Sequence, residues 1–182
     1  MREKEVLCHY CGQKAELITR MTSMEIKNQE VEYQESFYRC EACDEEFEVG
    51  KCINDNLLAA RDAYRKKNKL LTSSQIAEIR KKYNLSQADF SLALGWGEIT
   101  ITRYETKQIQ DSTYDMILRM VKSNPFMLLQ LLEKNKNNFT EEKYKTIEEN
   151  IRGTIKENII QEMDIDRIKD TYALYDEPSQ EK

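Results

Sequence analysis

The sequence is poor in the residues on which many enzyme active sites depend. Its 182 residues include one histidine and five glycines. The histidine has no evident catalytic partner in the sequence, and no glycine-rich loop of the kind that cradles phosphates is present. We therefore expect a protein that is not an enzyme.

Long hydrophobic runs are missing as well. No apolar segment approaches the roughly 20 residues that a helix needs to span a bilayer. The opening residues, Met-Arg-Glu-Lys-Glu-Val-Leu-Cys, lack the apolar centre of a signal peptide. We expect a cytoplasmic protein with no membrane partner. In that reducing compartment, paired cysteines are typical of metal sites.

The chain lacks a net positive charge overall, and a positive balance is confined to its middle. The net charge of the whole chain is −5. The net charge is −6 over residues 1–60, +5 over residues 61–107 and −4 over residues 108–182. Only the middle segment has the balance that phosphate binding favours, whereas both flanks would repel DNA or suit a basic partner.

Four of the five cysteines form two CxxC pairs. Cys8 with Cys11, and Cys40 with Cys43, have the spacing that lets two thiolates of one tight turn bind the same ion. A closed shell of four thiolates selects zinc and leaves no position for a reactive water. We predict one structural zinc ion. A redox-active dithiol and an iron–sulfur cluster are the weaker alternatives.

The segment between the two pairs is long enough to carry its own structure. Residues 16–20 and 24–26 alternate polar with apolar side chains, and Asn28-Gln29 offers a turn before residues 31–38. This pattern predicts a small antiparallel sheet within a zinc-binding domain over residues 1–52. Because such a domain has little core, zinc would supply folding free energy on the order of 10 kcal/mol. Cys52 is expected to be a partly buried structural cysteine.

Residues 53–71 are predicted to form a connecting helix or linker. The stretch from Asn56 to Lys67 is rich in strong helix formers and contains neither glycine nor proline. Its basic end, Arg65-Lys66-Lys67, has two interpretations that the sequence does not separate. These side chains could contact phosphates, or they could complement the dipole of their own helix.

Residues 72–135 show the signals of several short helices. Ser73 or Ser74 is placed to begin the first, and Ser86 with Asp89 forms an imperfect capping box for the second, which Gly95 ends. A third helix over residues 98–105 and a fourth beginning at Ser112 complete the set. A third helix that begins close behind a glycine turn is typical of a helix-turn-helix.

Three groups of residues carry a family resemblance: 85–90 (Leu-Ser-Gln-Ala-Asp-Phe), 95–97 (Gly-Trp-Gly) and 103–105 (Arg-Tyr-Glu). They resemble the Xre or lambda-repressor type of helix-turn-helix. With the double CxxC module in front, the chain resembles the MqsA (YgiT-type) antitoxins over residues 8 to 135. The resemblance implies a zinc domain that can hold a partner toxin and a dimeric domain that binds a palindromic operator in double-stranded DNA.

The third helix is predicted to have a core face and a DNA face. Ile101 and Tyr104, three residues apart, should point into the core. The base-reading candidates are Glu98, Ile99, Thr102 and Arg103. Arg103 is the strongest of them, because a bidentate contact with guanine discriminates by roughly 1–3 kcal/mol.

The remaining site residues follow from the resemblance. It implies that Gln87 and Thr100 lie near phosphates and that Arg80 pairs with Glu105 in a structural salt bridge. The sequence departs from the MqsA pattern at Ile99, where the family can have a base-contacting asparagine. This departure leaves the operator sequence open, since isoleucine cannot read an adenine edge.

The C-terminal part is predicted to be a helical extension over residues 136–175, followed by a disordered tail over residues 176–182. The apolar run 125–133 begins with proline, is suited to burial and could form a dimer contact. Thr140 is placed to begin a charged helix, which Gly153 weakens. The extension could pack on its own domain or dimer mate, or dock another protein.

Together these features predict a fold and a function. The fold class is a small zinc-bound α+β domain followed by an all-α domain of the lambda-repressor type with a helical extension. The predicted function is a transcriptional repressor, located on the nucleoid when bound to its operator, and the antitoxin of a toxin–antitoxin pair. The alternatives are a stand-alone repressor from a phage or mobile element, and a protein–protein adaptor.

Overall fold

A computed structural model describes residues 5–173, with side chains described through residue 159. A three-stranded antiparallel sheet precedes seven helices in this part of the chain. The strands are β1 (Ala15–Ile26), β2 (Gln29–Cys40) and β3 (Glu46–Phe47). The helices are α1 (Gly50–Lys67), α2 (Ser73–Lys82), α3 (Gln87–Ala93), α4 (Thr100–Thr106), α5 (Ser112–Ser123), α6 (Pro125–Lys134) and α7 (Glu141–Ala173), with a 3-10 turn at Lys136–Asn138.

The chain forms two compact units. The first, here called the sheet unit, comprises the described parts of Met1–Ile76 together with Thr102–Asp115. The second, here called the helical unit, comprises Ala77–Ile101 and the described parts of Met116–Lys182. The second half of α4 therefore belongs to the same unit as the cysteine pairs.

The predicted antiparallel sheet is confirmed. Strands β1 and β2 pair along their whole length, from Ala15 opposite Cys40 to Ile26 opposite Gln29. The turn between them lies at Lys27 and Asn28, which both have positive φ, 49° and 59°. Two such residues form the hairpin turn whose twist matches that of the strands. Strand β3 was not predicted, because two residues are too few to show an alternating pattern.

Helix α1 covers one face of the sheet. In β2 the buried side chains of Val31, Tyr33 and Phe37 are separated by less buried ones, and Cys40 is buried at the end of the strand. This strand makes most of the contacts with α1. Asn56 of α1 fastens the helix to the backbone of Ser36, accepting from its N–H at 2.9 Å and donating to its carbonyl at 2.8 Å. Because Asn56 is buried and pairs with both backbone groups, it fixes where α1 crosses β2.

The helical unit has its own apolar core. Tyr83 stacks on Phe90 with ring centroids 6.5 Å apart, and its hydroxyl donates to the Val121 carbonyl. Burial raises the pKa of Tyr83 to about 12. The surrounding side chains come from α5, α6 and α7 and are fully buried, namely Leu118, Leu128, Leu132, Ile147 and Ile151.

Helix α7 is part of that core. It begins after Thr140, whose hydroxyl accepts from the N–H of Lys143, as the sequence predicted. It continues through Gly153, so the expected weakness there does not interrupt it. Thr154 donates to the Lys82 carbonyl at 3.1 Å, which ties α7 to the end of α2. This part of the extension thus packs on its own unit, while the predicted tail lies outside the described residues.

None of the described helices, the long α7 included, combines the length and the apolar character needed to cross a bilayer.

The packing of α7 gives a testable prediction. Ile147 is 1% exposed and Ile159, on the same helix, is 46% exposed. Ile147→Ala should lower the free energy of unfolding by about 2–5 kcal/mol, because it removes buried methyl groups and leaves a cavity. Ile159→Ala, the matched control, should change it by less than about 0.5 kcal/mol. Urea unfolding followed by circular dichroism measures both, and equal effects would show that α7 does not pack as described.

Candidate functional site

The two cysteine pairs converge on one point. The Sγ atoms of Cys8 and Cys43 lie 3.7 Å apart, and those of Cys11 and Cys40 lie 3.4 Å apart. All four Sγ atoms lie within 4.8 Å of one another. Since zinc–sulfur bonds measure about 2.3 Å, the edges of a ZnS4 tetrahedron are about 3.8 Å long. The four thiols therefore fit a tetrahedral metal ion with little adjustment.

The two CxxC turns have the same backbone design. In the first, Cys8 accepts from the N–H of Gly12 at 2.8 Å and donates its own N–H to the carbonyl of Gln13. In the second, Cys40 accepts from the N–H of Asp44 at 2.8 Å and donates to Glu45 in the same way.

Both turns end in the left-handed region, with φ of 73° at Gly12 and 61° at Asp44. Glycine adopts this conformation without strain. Asp44 is held in it by Arg39, whose Nε donates to the Asp44 carboxylate at 2.7 Å. The CxxC spacing predicted the ligands, but it did not reveal the residue that closes each turn.

The thiols differ in acidity. Burial acts to raise the pKa of Cys40, but hydrogen bonds from the backbone N–H groups of Cys43 and Ala42 and from Cys11 outweigh it and lower the pKa to about 7. At Cys43 the N–H of Glu45 acts to lower the pKa, while burial and the neighbouring thiols raise it to about 12. Without a cation, four thiolates cannot share this volume. Metal binding must therefore release protons, and it weakens as the pH falls.

The side chains around the cluster play structural parts. The ring of His9, which lies between two of the ligands in sequence, is tilted against Tyr10 and edge-on to Phe47, with centroids 4.2 Å and 4.7 Å apart. Cys52 is buried away from the cluster and donates to the Ser36 carbonyl at 2.6 Å. In the described part of the chain, the four clustered cysteines are the group of residues suited to holding a metal.

The second candidate site begins with α3 and the turn that follows it. The Ser86 hydroxyl accepts from the N–H of Asp89 at 3.1 Å, so the predicted cap is confirmed. Gly95 ends the segment with φ of 77°. A Cβ atom at Gly95 would lie 2.9 Å from the side-chain amide of Asn135, which itself donates to the Ala93 carbonyl. The backbone conformation favours glycine here, and a larger side chain would also have to displace the amide of Asn135.

The start of the third predicted helix was wrong. We expected it at Glu98, but α4 begins at Thr100. The Thr100 N–H donates to the Gly97 carbonyl at 2.9 Å, so Glu98 and Ile99 form the centre of a turn. Both side chains are exposed. Their proposed role in base reading stays a prediction. Base contacts by these two residues would be made from the turn that precedes α4.

Helix α4 has the two faces that the spacing predicted. Ile101 is 0% exposed and Tyr104 is 8% exposed, as predicted for its core side. The N–H of Ile101 donates to the hydroxyl of the buried Ser91 at 3.0 Å, which fastens α4 to α3. Arg103 is exposed and Thr102 is half-buried.

The remaining predicted residues lie near these elements. Gln87 and Thr100 are the first residues of α3 and α4 and are half-buried. Arg80 donates to the Leu85 carbonyl at 2.8 Å and so fastens the turn between α2 and α3. Contact of Gln87 and Thr100 with phosphates, and the pairing of Arg80 with Glu105, stay predictions.

Arg65 lies beside this site, and the sequence did not indicate its role. Arg65 is 0% exposed, although it belongs to the basic run that was expected to contact phosphates or to complement the dipole of its own helix. Its Nη2 atom donates to the carbonyls of Tyr104 and Gln108, at 2.7 Å and 2.5 Å. The interpretation of the basic run as a phosphate contact therefore does not apply to Arg65. Periodicity cannot find such a residue, because its acceptors lie about 40 positions further along the chain.

Comparison of the sequence with protein-family models and with curated proteins gives no match.

The metal centre predicts a difference between cysteines. Purified protein should hold one zinc ion per chain. Cys11→Ser should lose zinc on dialysis against a chelator, because a hydroxyl is a poor replacement for a thiolate ligand. Cys52→Ser is the matched control and should keep its zinc, since a hydroxyl can make the same hydrogen bond to Ser36. Atomic absorption measures the zinc bound per chain. Full zinc in the first variant, or loss in the second, would contradict the assignment.

Proposed function

We propose that the protein is a DNA-binding transcriptional repressor that binds a palindromic operator as a homodimer and is the antitoxin of a toxin–antitoxin pair. The observation that carries the proposal is the α3–α4 segment. Two short helices are joined by a glycine turn, and the second is buried at Ile101 and exposes Arg103. A helix-turn-helix likewise joins two short helices by a tight turn, and its second helix enters the major groove.

Charge supports the same segment. The net charge of residues 61–107, which include α3 and α4, is +5, although the chain as a whole is acidic. A protein that neutralises DNA phosphates needs such a local excess of positive charge. In a dimer, two copies of α4 would enter successive major grooves about 34 Å apart.

The four-cysteine cluster suits a structural role. Four thiolates would complete the shell of a zinc ion and leave no site for a substrate or an activated water. Zinc would stabilise the sheet unit, and no step of catalysis is assigned to it. The protein is accordingly proposed to be a regulator and not an enzyme.

The proposal of a toxin partner rests on the resemblance and on charge. Residues 1–60 carry −6, so this part of the chain suits a basic protein. In the related proposal of a stand-alone repressor, the same DNA contacts occur without a toxin. An adaptor that has lost DNA binding would show no salt-dependent affinity for its own upstream DNA.

Arg103 provides the test of DNA reading. Arg103→Ala should weaken binding to the DNA upstream of the gene by about 5- to 150-fold, the equivalent of 1–3 kcal/mol for a lost bidentate contact. It should weaken binding to a scrambled duplex much less, because one cation among several is lost. Fluorescence anisotropy titrations at fixed salt measure both affinities.

Lys122→Ala on α5 is the control for charge alone. Lys122 is exposed and lies outside α3 and α4, so its removal should leave the ratio of the two affinities unchanged. Unchanged operator affinity and specificity in Arg103→Ala would show that the proposed reading mode is wrong.

The toxin partner needs a separate experiment. The tagged protein is purified from its own cells with its upstream DNA added, and bound zinc is measured in the same preparation. Retention of DNA and of a stoichiometric small protein encoded by the neighbouring reading frame is the expected result. Retention of DNA without that protein, at one zinc per chain, would favour the stand-alone repressor.

A further inference from the structure

The structure assigns Arg65 a role in DNA reading although it lies on α1. We propose that Arg65 is a positioning residue that holds the C-terminal end of α4, and with it the DNA-reading residues Thr102 and Arg103, in the orientation that operator recognition requires. The inference rests on the proposed function, because it assigns to Arg65 the geometry of the same reading helix.

The first argument is how α4 ends. The N–H groups of Lys107 and Gln108 both donate to the Arg103 carbonyl, each at 2.7 Å. In a continuing α-helix the N–H of Gln108 would donate to the Tyr104 carbonyl instead. The guanidinium of Arg65 donates to the Tyr104 carbonyl at 2.7 Å. The last turn of α4 thus accepts a hydrogen bond from a side chain on another helix.

The second argument is electrostatic. The C-terminal end of a helix carries a partial negative charge, and a cation placed there is stabilising. Arg65 is fully buried, so water screens this interaction little. The same Nη2 atom also donates to the Gln108 carbonyl, while Nη1 and Nε donate to Asp62 and Gln110. A lysine ammonium cannot reach all of these acceptors at once, because it lacks the planar fork of donors.

The third argument is that Arg65 cannot easily move. Its Nη1 donates to Asp62 at 2.7 Å, and its Nε donates to the side chain of Gln110 at 3.0 Å. Asp62 is itself held by Ser73, whose N–H donates to it at 2.8 Å. In the described part of the chain, every buried side-chain nitrogen and oxygen has a hydrogen-bond partner. These hydrogen bonds fix the guanidinium from several sides, in addition to its bonds with the end of α4.

The network extends through the segment that follows α4. Gln110 is fully buried and donates to the Leu71 carbonyl at 2.7 Å and to Asp115 at 3.0 Å. Asp115 also accepts from the N–H of Leu71 at 2.7 Å. Hydrogen bonds with Arg65 and with the backbone of Leu71 therefore hold the chain from the end of α4 to the start of α5.

The first part of the test needs no DNA. Amide hydrogen exchange reports directly on the N–H groups of Lys107 and Gln108. In Arg65→Lys these amides should exchange at least tenfold faster than in the unchanged protein, while the amides of β1 and β2 keep their rates. Arg65→Met, which removes the charge, should have the larger effect. If Arg65→Met does not fold, Arg65→Lys alone still decides. Unchanged exchange at Lys107 and Gln108 would overturn the proposal.

The second part measures recognition. Arg65→Lys should lower the affinity for the operator at least fivefold more than the affinity for a scrambled duplex of equal length. A merely structural role would reduce the active fraction and lower both affinities equally, and that result would overturn the proposal. Lys66→Met is the matched control: Lys66 follows Arg65 on α1 and is exposed. It should leave the ratio unchanged.

The two parts separate the failure of this inference from the failure of the proposed function. If the unchanged protein does not distinguish its operator from the scrambled duplex, DNA reading is overturned, and the role of Arg65 in recognition is overturned with it. Faster exchange in Arg65→Lys would then still show that this residue holds the end of α4. If the unchanged protein does distinguish the two duplexes, only the variant results bear on Arg65.

Discussion

A buried arginine without water must find its hydrogen-bond acceptors within the protein. Arg65 finds them on its own helix, in the side chain of Gln110 and in two backbone carbonyls at the end of α4. Leaving such a charge unmatched costs several kcal/mol, so all these partners must be in place together. These bonds join α1 to the segment that follows α4, within the sheet unit.

The sheet unit solves the problem of a small core in a different way. Its hairpin buries side chains on the face that α1 covers, and its other ordering element is the four-cysteine cluster. Two CxxC turns with the same backbone hydrogen bonds bring the four Sγ atoms within 4.8 Å of one another. A zinc ion bound between them would stabilise the sheet unit further. Asn56 fastens α1 to the backbone of β2, which pairs with β1 along its whole length. The position of Arg65 thus depends on a helix that the sheet supports.

Local signals were enough to predict many of these features. The CxxC spacing indicated the metal ligands, Ser86 the start of α3 and Thr140 the start of α7. Alternating polarity indicated the hairpin. The prediction failed where local signals are weak or balanced. Strand β3 is too short to have a period, and Glu98 and Ile99 look helical although the turn from Gly97 to Thr100 excludes them. Gly153 weakens a helix locally, but packing of the neighbouring isoleucines outweighs it.

The sequence by itself determined which residues can hold a metal, where most helices begin and which side of α4 is apolar, because each depends on residues a few positions apart. The tertiary structure decided that Arg65 is buried, that the side chain of Asn135 packs against Gly95, and that the end of α4 belongs with the sheet unit. These features join residues about 40 positions apart. Periodicity and capping describe one element at a time, whereas the burial of a charge depends on every element that surrounds it.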